Sequence, residues 1–229
     1  DWRNNPEEHR AYLQRLWSFV QDLAPAHNSA KTLVLFHWLR FDETQGRYDR
    51  ERFRQYLTLP RPSAYILPAM LDANNARRYA ADLSFKIQGC PLAPIGDDEP
   101  LVRRYLLEFL RRDSNYGSFA GYIKEEFLKS AFAEAKITNG LGNPENWYSL
   151  ISPSEYQAFK DRVDLDFAAT NPAEFNSSDA VEIDLWVKNV SQLIVKVYEV
   201  NTQNYYRDLG RQVNTDIQLD GLIPNYSFN

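Results

Sequence analysis

Cysteine is nearly missing from this chain: Cys90 is the only one among 229 residues. A disulfide within the chain and a cysteine cage for a metal are therefore excluded. No run of about 18 apolar residues occurs, so no segment reads as a membrane-spanning helix. Glycines number nine and are scattered. None of them builds a phosphate-cradling loop, a dinucleotide fingerprint or a GxSxG elbow. The three histidines, His9, His27 and His37, include no i, i+4 pair and no HExxH pattern. Positive charge is not in surplus. The formal net charge of -5 lacks the footprint that phosphate binding needs, and it does not favour an anionic membrane surface. The opening residues Asp1-Trp2-Arg3-Asn4-Asn5 do not form a signal peptide. They read as the start of an excised domain or a processed chain.

What is present suffices for a packed core over one or two domains, with 44% hydrophobic and 14% aromatic residues. Over residues 1–162 the apolar spacing is helical. Asn5-Pro6-Glu7-Glu8 combines a cap, a first-turn proline and two acids at the positive end of the helix dipole. Leu13, Leu16, Trp17, Val20 and Leu23 then share a face. The run Leu33 to Leu39 is apolar nearly all round and predicts a buried helix after Ser29, broken by Gly46. Asp49 caps a third helix. Six prolines punctuate residues 58–100, a long irregular connection with one short helix expected near Ala76 to Asp82. Asp97-Asp98-Glu99-Pro100 starts another helix, through Arg112. Phe119, Ile123, Phe127, Ala131 and Ala135 predict a helix over 118–137, stopped by Asn139-Gly140. Ser152-Pro153-Ser154-Glu155 has the spacing of a capping box.

After residue 162 the period becomes 2. Val163, Leu165 and Phe167, then Val181 to Val187, then Leu193 to Val197 alternate with polar or outward residues and predict three half-buried strands. If the second and third form a hairpin, Val187 faces Val195 and Leu185 faces Val197. The alternative is an arch that carries the third strand to another sheet. The stretch after Val200 reads as a ragged tail. The expected fold is α+β and multidomain: a helical domain over 1–162, then an antiparallel Ig or fibronectin-like β-sandwich over 163–229. Three strands do not complete such a sandwich, so the domain is expected to continue past Asn229.

The stretch Val181-Glu182-Ile183-Asp184-Leu185-Trp186-Val187-Lys188-Asn189-Val190, followed by Leu193-Ile194-Val195-Lys196-Val197-Tyr198-Glu199-Val200-Asn201, resembles macroglobulin-type domains of bacterial alpha-2-macroglobulin-like proteins. Phe167 to Pro172 fits the strand before it, and Val213 to Leu222 looks like a segment of the large envelope proteins that carry such domains. The resemblance covers about 60 residues. It implies a seven-stranded sandwich used as a building block in a large envelope or secreted protein. Its partners would be other domains of the same polypeptide and proteases. The family's thioester needs a cysteine near a Glu-Gln pair. Gly89-Cys90-Pro91-Leu92 does not match, so the segment would scaffold protease inhibition rather than react.

The residues point to no catalytic, metal or cofactor site. His37 has no acid in register and reads as a core or hydrogen-bonding histidine; His9 and His27 read as solvated. Asp97-Asp98-Glu99 reads as a helix N-terminus. Asp216, Gln218, Asp220 and Gly221 resemble part of a calcium loop, but Ser227 stands where a bidentate Glu is needed. Asp164 with Asp166, and Glu182 with Asp184, are carboxylate pairs of the kind used in glycoside hydrolysis, yet suit an exposed strand face. The candidate ligand or partner surface is Trp186, Tyr198, Tyr205 and Tyr206. The expected function is non-catalytic protein interaction. The alternatives are a carbohydrate-binding module on that aromatic surface, or an enzyme with its site in 58–100.

Overall fold

The computed structural model describes residues 5–172, 174–210, 213, 217 and 219–228, with the backbone alone at 73–75 and 144. Asp1-Trp2-Arg3-Asn4, expected to open a domain, lie outside the described residues. The chain forms two compact units, Asp1–Lys188 and Asn189–Asn229.

The first unit opens with α1, Pro6–Val20, where the Asn5 side chain accepts from the backbone N–H of Glu7 and of Glu8. These are donors that a helix start otherwise leaves unpaired. The buried helix expected after Ser29 is α2, Asn28–Thr44. Gly46 follows it at φ +65°, a conformation costly for any other residue type. Asp49 then caps α3, Arg50–Thr58, by accepting from the Arg52 N–H at 2.9 Å. Helix α2 is apolar all round because it is covered on two sides. Leu33, Val34 and Phe41 pack with Leu13 and Val20 of α1. Leu35 and Leu39 join the main core with Phe53, Tyr56 and Leu57 of α3.

The proline-rich segment wraps this core rather than standing away from it. It contains α4, Pro68–Asp72, and a tighter 3-10 turn over Ala73–Tyr79, slightly before the position expected for its helix. Asn28 Nδ2 donates to the Tyr79 carbonyl at 2.9 Å, the Ala81 N–H donates to the Pro60 carbonyl at 2.7 Å, and His37 Nε2 lies 2.8 Å from the Ala93 carbonyl. The irregular backbone thus finds polar partners along its path.

Helix α5, Glu99–Arg112, adds Leu101, Val102, Tyr105, Leu106, Phe109 and Leu110 to the buried core. Burying each such side chain contributes roughly 1.5–3 kcal/mol relative to exposure. The next helix, α6, is Glu125–Thr138 and starts later than expected. Phe119 and Ile123 are buried, but neither is on the helix. The Leu67 N–H donates to the Tyr122 carbonyl, the Lys124 N–H donates to the Tyr65 carbonyl, and Ile66 bridges Ile123. This strand-like pairing keeps Ile123 and Lys124 out of the helix until α6 begins. Gly140, at φ +63°, follows the end of α6.

Helix α7, Pro144–Tyr148, which the spacing did not suggest, is capped by Asn143. Helix α8, Pro153–Asp161, has the expected capping box. The Glu155 N–H donates to Ser152 Oγ at 3.2 Å, and the Ser152 N–H donates to Glu155 Oε2 at 3.0 Å. Those bonds hold the Glu155 carboxyl below its ordinary value of 4.5. A depressed acid stabilises the fold above its unfolded pKa and loses that contribution as pH falls through the folded one. Ser152→Ala is expected to cost about 1 kcal/mol at neutral pH, less in acid, as read from urea unfolding at both pH values.

Beyond α8 the described strands are few and antiparallel. β1, Asp164–Phe167, pairs with β2, Leu185–Lys188, so that Leu165 faces Val187 and Phe167 faces Leu185. In the second unit β3, Val195–Val197, pairs with β4, Tyr226–Phe228, placing Val195 opposite Phe228. Of the two alternatives left open for the second and third strands, the hairpin is not formed: β2 pairs with β1, and β3 belongs to another sheet with β4. Nor are the strands half-buried. Phe167 is 71% exposed, and Leu165, Val187, Val195 and Val197 are exposed too. Among the described residues no second layer covers either sheet within its own unit, so alternation does not turn into burial. The expected sandwich is met only as a few antiparallel strands following a helical region. The supposed ragged tail holds α9, Thr202–Leu209, capped by Asn201 and ended by Gly210 at φ +66°.

Candidate functional site

The densest polar constellation of the first unit is closed to solvent. Pro60 and Pro62 bracket Arg61, holding the chain in a turn between α3 and the irregular segment. Arg61 is 0% exposed and Asp98, just before α5, is 1% exposed. Arg61 Nε donates to Asp98 Oδ2 at 2.6 Å, and Nη1 donates to the Tyr56 and Leu59 carbonyls, both at 2.8 Å. Nη2 donates to Tyr65 Oη at 2.8 Å. The phenols of Tyr56 and Tyr65 donate to Asp98 Oδ2 at 2.7 and 2.5 Å, and Ser63 Oγ donates to Oδ1 at 3.0 Å. The guanidinium also lies 4.1 Å above the Tyr56 ring. Burial pushes both phenols well up from their ordinary value; Arg61 opposes this and Asp98 reinforces it. They therefore stay protonated donors at any ordinary pH. Asp97-Asp98-Glu99 is the helix start expected, with Asp98 at the N-cap position of α5, but the Asp98 side chain turns to Arg61 and does not cap the helix. A buried, fully partnered pair specifies how segments join rather than meeting a ligand.

The other candidates do not converge on a site. His37 bonds a backbone carbonyl. Burial lowers its pKa, helped by Arg40 and His9 and opposed by that bond. His9 is not simply solvated: it is half-buried with its ring 4.7 Å from that of Phe41. His27 is exposed in the turn Pro25–His27. Cys90 Sγ lies 3.3 Å from Tyr12 Oη, and burial together with that thiol pushes the phenol up to about 12. Asp164 pairs with Arg162, whereas Asp166 stands opposite Trp186. Asp216 and Gln218 of the suggested calcium loop lie outside the described residues; Gly221 turns at φ +83° and Ser227 sits on β4. Among the described residues no group of three or more His, Cys, Asp or Glu is placed to hold a metal ion.

Segment 58–100 contributes to one shallow depression, lined by Pro25, Asn28, Thr58, Pro60, Met70 and Tyr79. It contains no acid, base or nucleophilic pair. Trp186 is 68% exposed on β2 in the first unit. Tyr198, Tyr205 and Tyr206 belong to the second. Tyr205 and Tyr206 sit on α9, not on a strand; Tyr206 is exposed, and Tyr198 and Tyr205 are half-buried. Spacing alone missed Arg61, whose partner Asp98 is 37 positions away.

Comparison with known proteins corrects the functional expectations. Residues 1–163 match the family model of the actin-binding protein F N-terminal domain. Residues 193–229 match that of the first immunoglobulin-like domain of the same protein. Actin-binding protein F of Dictyostelium discoideum is 30% identical over 226 residues, covering 98% of this chain and 10% of its own length. The chain thus spans about a tenth of the curated relative it matches. No solved structure matches it. These matches overturn the macroglobulin resemblance, with its envelope or secreted role and its protease partners. The alternation that carried it is common to sandwich strands generally. They also leave no place for a carbohydrate-binding module or for an enzyme centred on 58–100. Since one model spans the whole helical region, the chain belongs to the actin-binding protein F N-terminal domain family.

Proposed function

We propose that this chain is a non-enzymatic, actin-directed segment of a longer multidomain protein. The observation that carries the reading is the family match along residues 1–163, joined to a relative named for actin binding that aligns over 98% of the chain. In this reading residues 1–162 form the helical domain and residues from 163 onward lead into an immunoglobulin-like region. The end of the first family match at residue 163 supports that division, although the compact units part after Lys188. Of the four aromatic residues, Trp186 in the first unit and Tyr206 in the second are the exposed ones, each free to meet a partner within its own unit; Tyr198 and Tyr205 are half-buried.

Co-sedimentation of the 229-residue chain with filamentous actin tests this. The expected result is saturable pelleting that depends on filament concentration. A chain that stays in the supernatant at every filament concentration, while circular dichroism shows it folded, would sink the reading.

A further inference from the structure

The β1–β2 pair is fastened to the helices by charge. Arg162 follows the last turn of α8. Its Nη1 donates to Glu134 Oε1 of α6 at 2.6 Å, and its Nε donates to Asp164 Oδ2 of β1 at 2.8 Å. Glu134 is almost fully buried. Its other oxygen is neutralised by Arg103 of α5 as an ion pair, with no hydrogen bond aimed at it. From β2, Lys188 Nζ donates to the carbonyls of Lys160 and Arg162, at 2.5 and 3.1 Å. Those acceptors lie at the negative end of α8, where a cation is favoured. Asp164 and Lys188 face each other in the register, so both strands are tied at the same end. At the other end of β1, Ala168 is buried, and a Cβ added to Gly46 would come within 3.2 Å of the Thr170 methyl.

That end is also closed by the Ala168 N–H and the Asn171 side chain, which bond the Asp184 backbone, the Asn171 bonds being exposed. Leu165, Phe167 and Val187 line the apolar face of the pair and are exposed. A two-stranded hairpin with no covered face is marginal in water at best. We infer that residues 163–188 form a conditional element, in which β1 and β2 stay paired only while the Arg162 and Lys188 clasp is closed. When it opens, the strands melt and the helical core stays folded. The element ends at Lys188, the last residue of the first unit.

Hydrogen–deuterium exchange on the 229-residue chain tests this with Arg162→Ala and Lys188→Met. The second variant leaves the Arg162–Glu134 pair in place and decides the matter if the first does not fold. Both are expected to speed exchange at Asp164–Phe167 and Leu185–Lys188 by about tenfold or more, as loss of charge-assisted bonds predicts. Exchange in α5 and α6 is expected to stay as in the parent chain. Strand amides that keep their protection would overturn the inference, and so would a loss shared equally by α5 and α6.

Discussion

Asp98→Ala is expected to destabilise the first unit by about 3–5 kcal/mol, because it strands a buried cation. Arg61 is 0% exposed and its Nε gives its shortest bond to the missing carboxylate. Tyr56, Tyr65 and Ser63 lose their acceptor in the same step, and each orphaned donor adds a desolvation penalty. The two tyrosines sit on opposite sides of Arg61 in sequence, so the change also loosens the end of α3 from the irregular segment that follows. Asp98→Asn keeps an acceptor oxygen but not the charge, and it should lose less. Urea unfolding followed by helical circular dichroism measures both. A loss under about 1 kcal/mol for Asp98→Ala would mean that water reaches Arg61.

How much of this was readable beforehand depended on the range of the interaction. Asn5, Asp49 and Ser152 cap helices through bonds that span two or three residues, so short motifs sufficed to place α1, α3 and α8. The apolar run of α2 announced a largely buried helix for the same reason. The start of α6 was misplaced because Phe119 and Ile123 do keep helical spacing and are buried. What keeps Ile123 and Lys124 out of the helix is pairing with residues 65–67, and no local pattern encodes that. Alternation located β1, β2 and β3, although β2 begins four residues after the expected start, and it missed β4; it was silent about partners and covering layers, which depend on what packs against them. Tyr205 and Tyr206 lie in the stretch that reads as a ragged tail, although Asn201 and Gly210 carry the signals of a helix start and stop. Of the candidate site, the sequence exposed the aromatic residues by type alone, while the Arg61–Asp98 knot stayed hidden. An arginine between two prolines looks like a solvated turn until the fold closes over it.

Phe53→Ala is expected to cost about 3–5 kcal/mol, the range for deleting a buried aromatic side chain. Phe53 is the ring through which α3 meets α5. It stacks on Tyr105 at 5.1 Å with an interplanar angle of 20°, lies 5.8 Å from Phe109, and meets Phe119 edge-on at 5.7 Å. Those neighbours are anchored from outside: Tyr105 Oη donates to the Leu39 carbonyl, and Arg50 covers the Phe109 ring while forking onto Asp113. Anchored neighbours cannot collapse into the space, so the cavity term stays large and the value should fall toward the top of the range. Phe19 on α1 supplies the contrast. It is the same residue type but is exposed, and Phe19→Ala should change stability by no more than about 0.5 kcal/mol. Urea midpoints for the two variants check the pair. Equal small losses would mean that the α3–α5 contact is loosely packed, because a packed ring and a solvated one cannot cost the same.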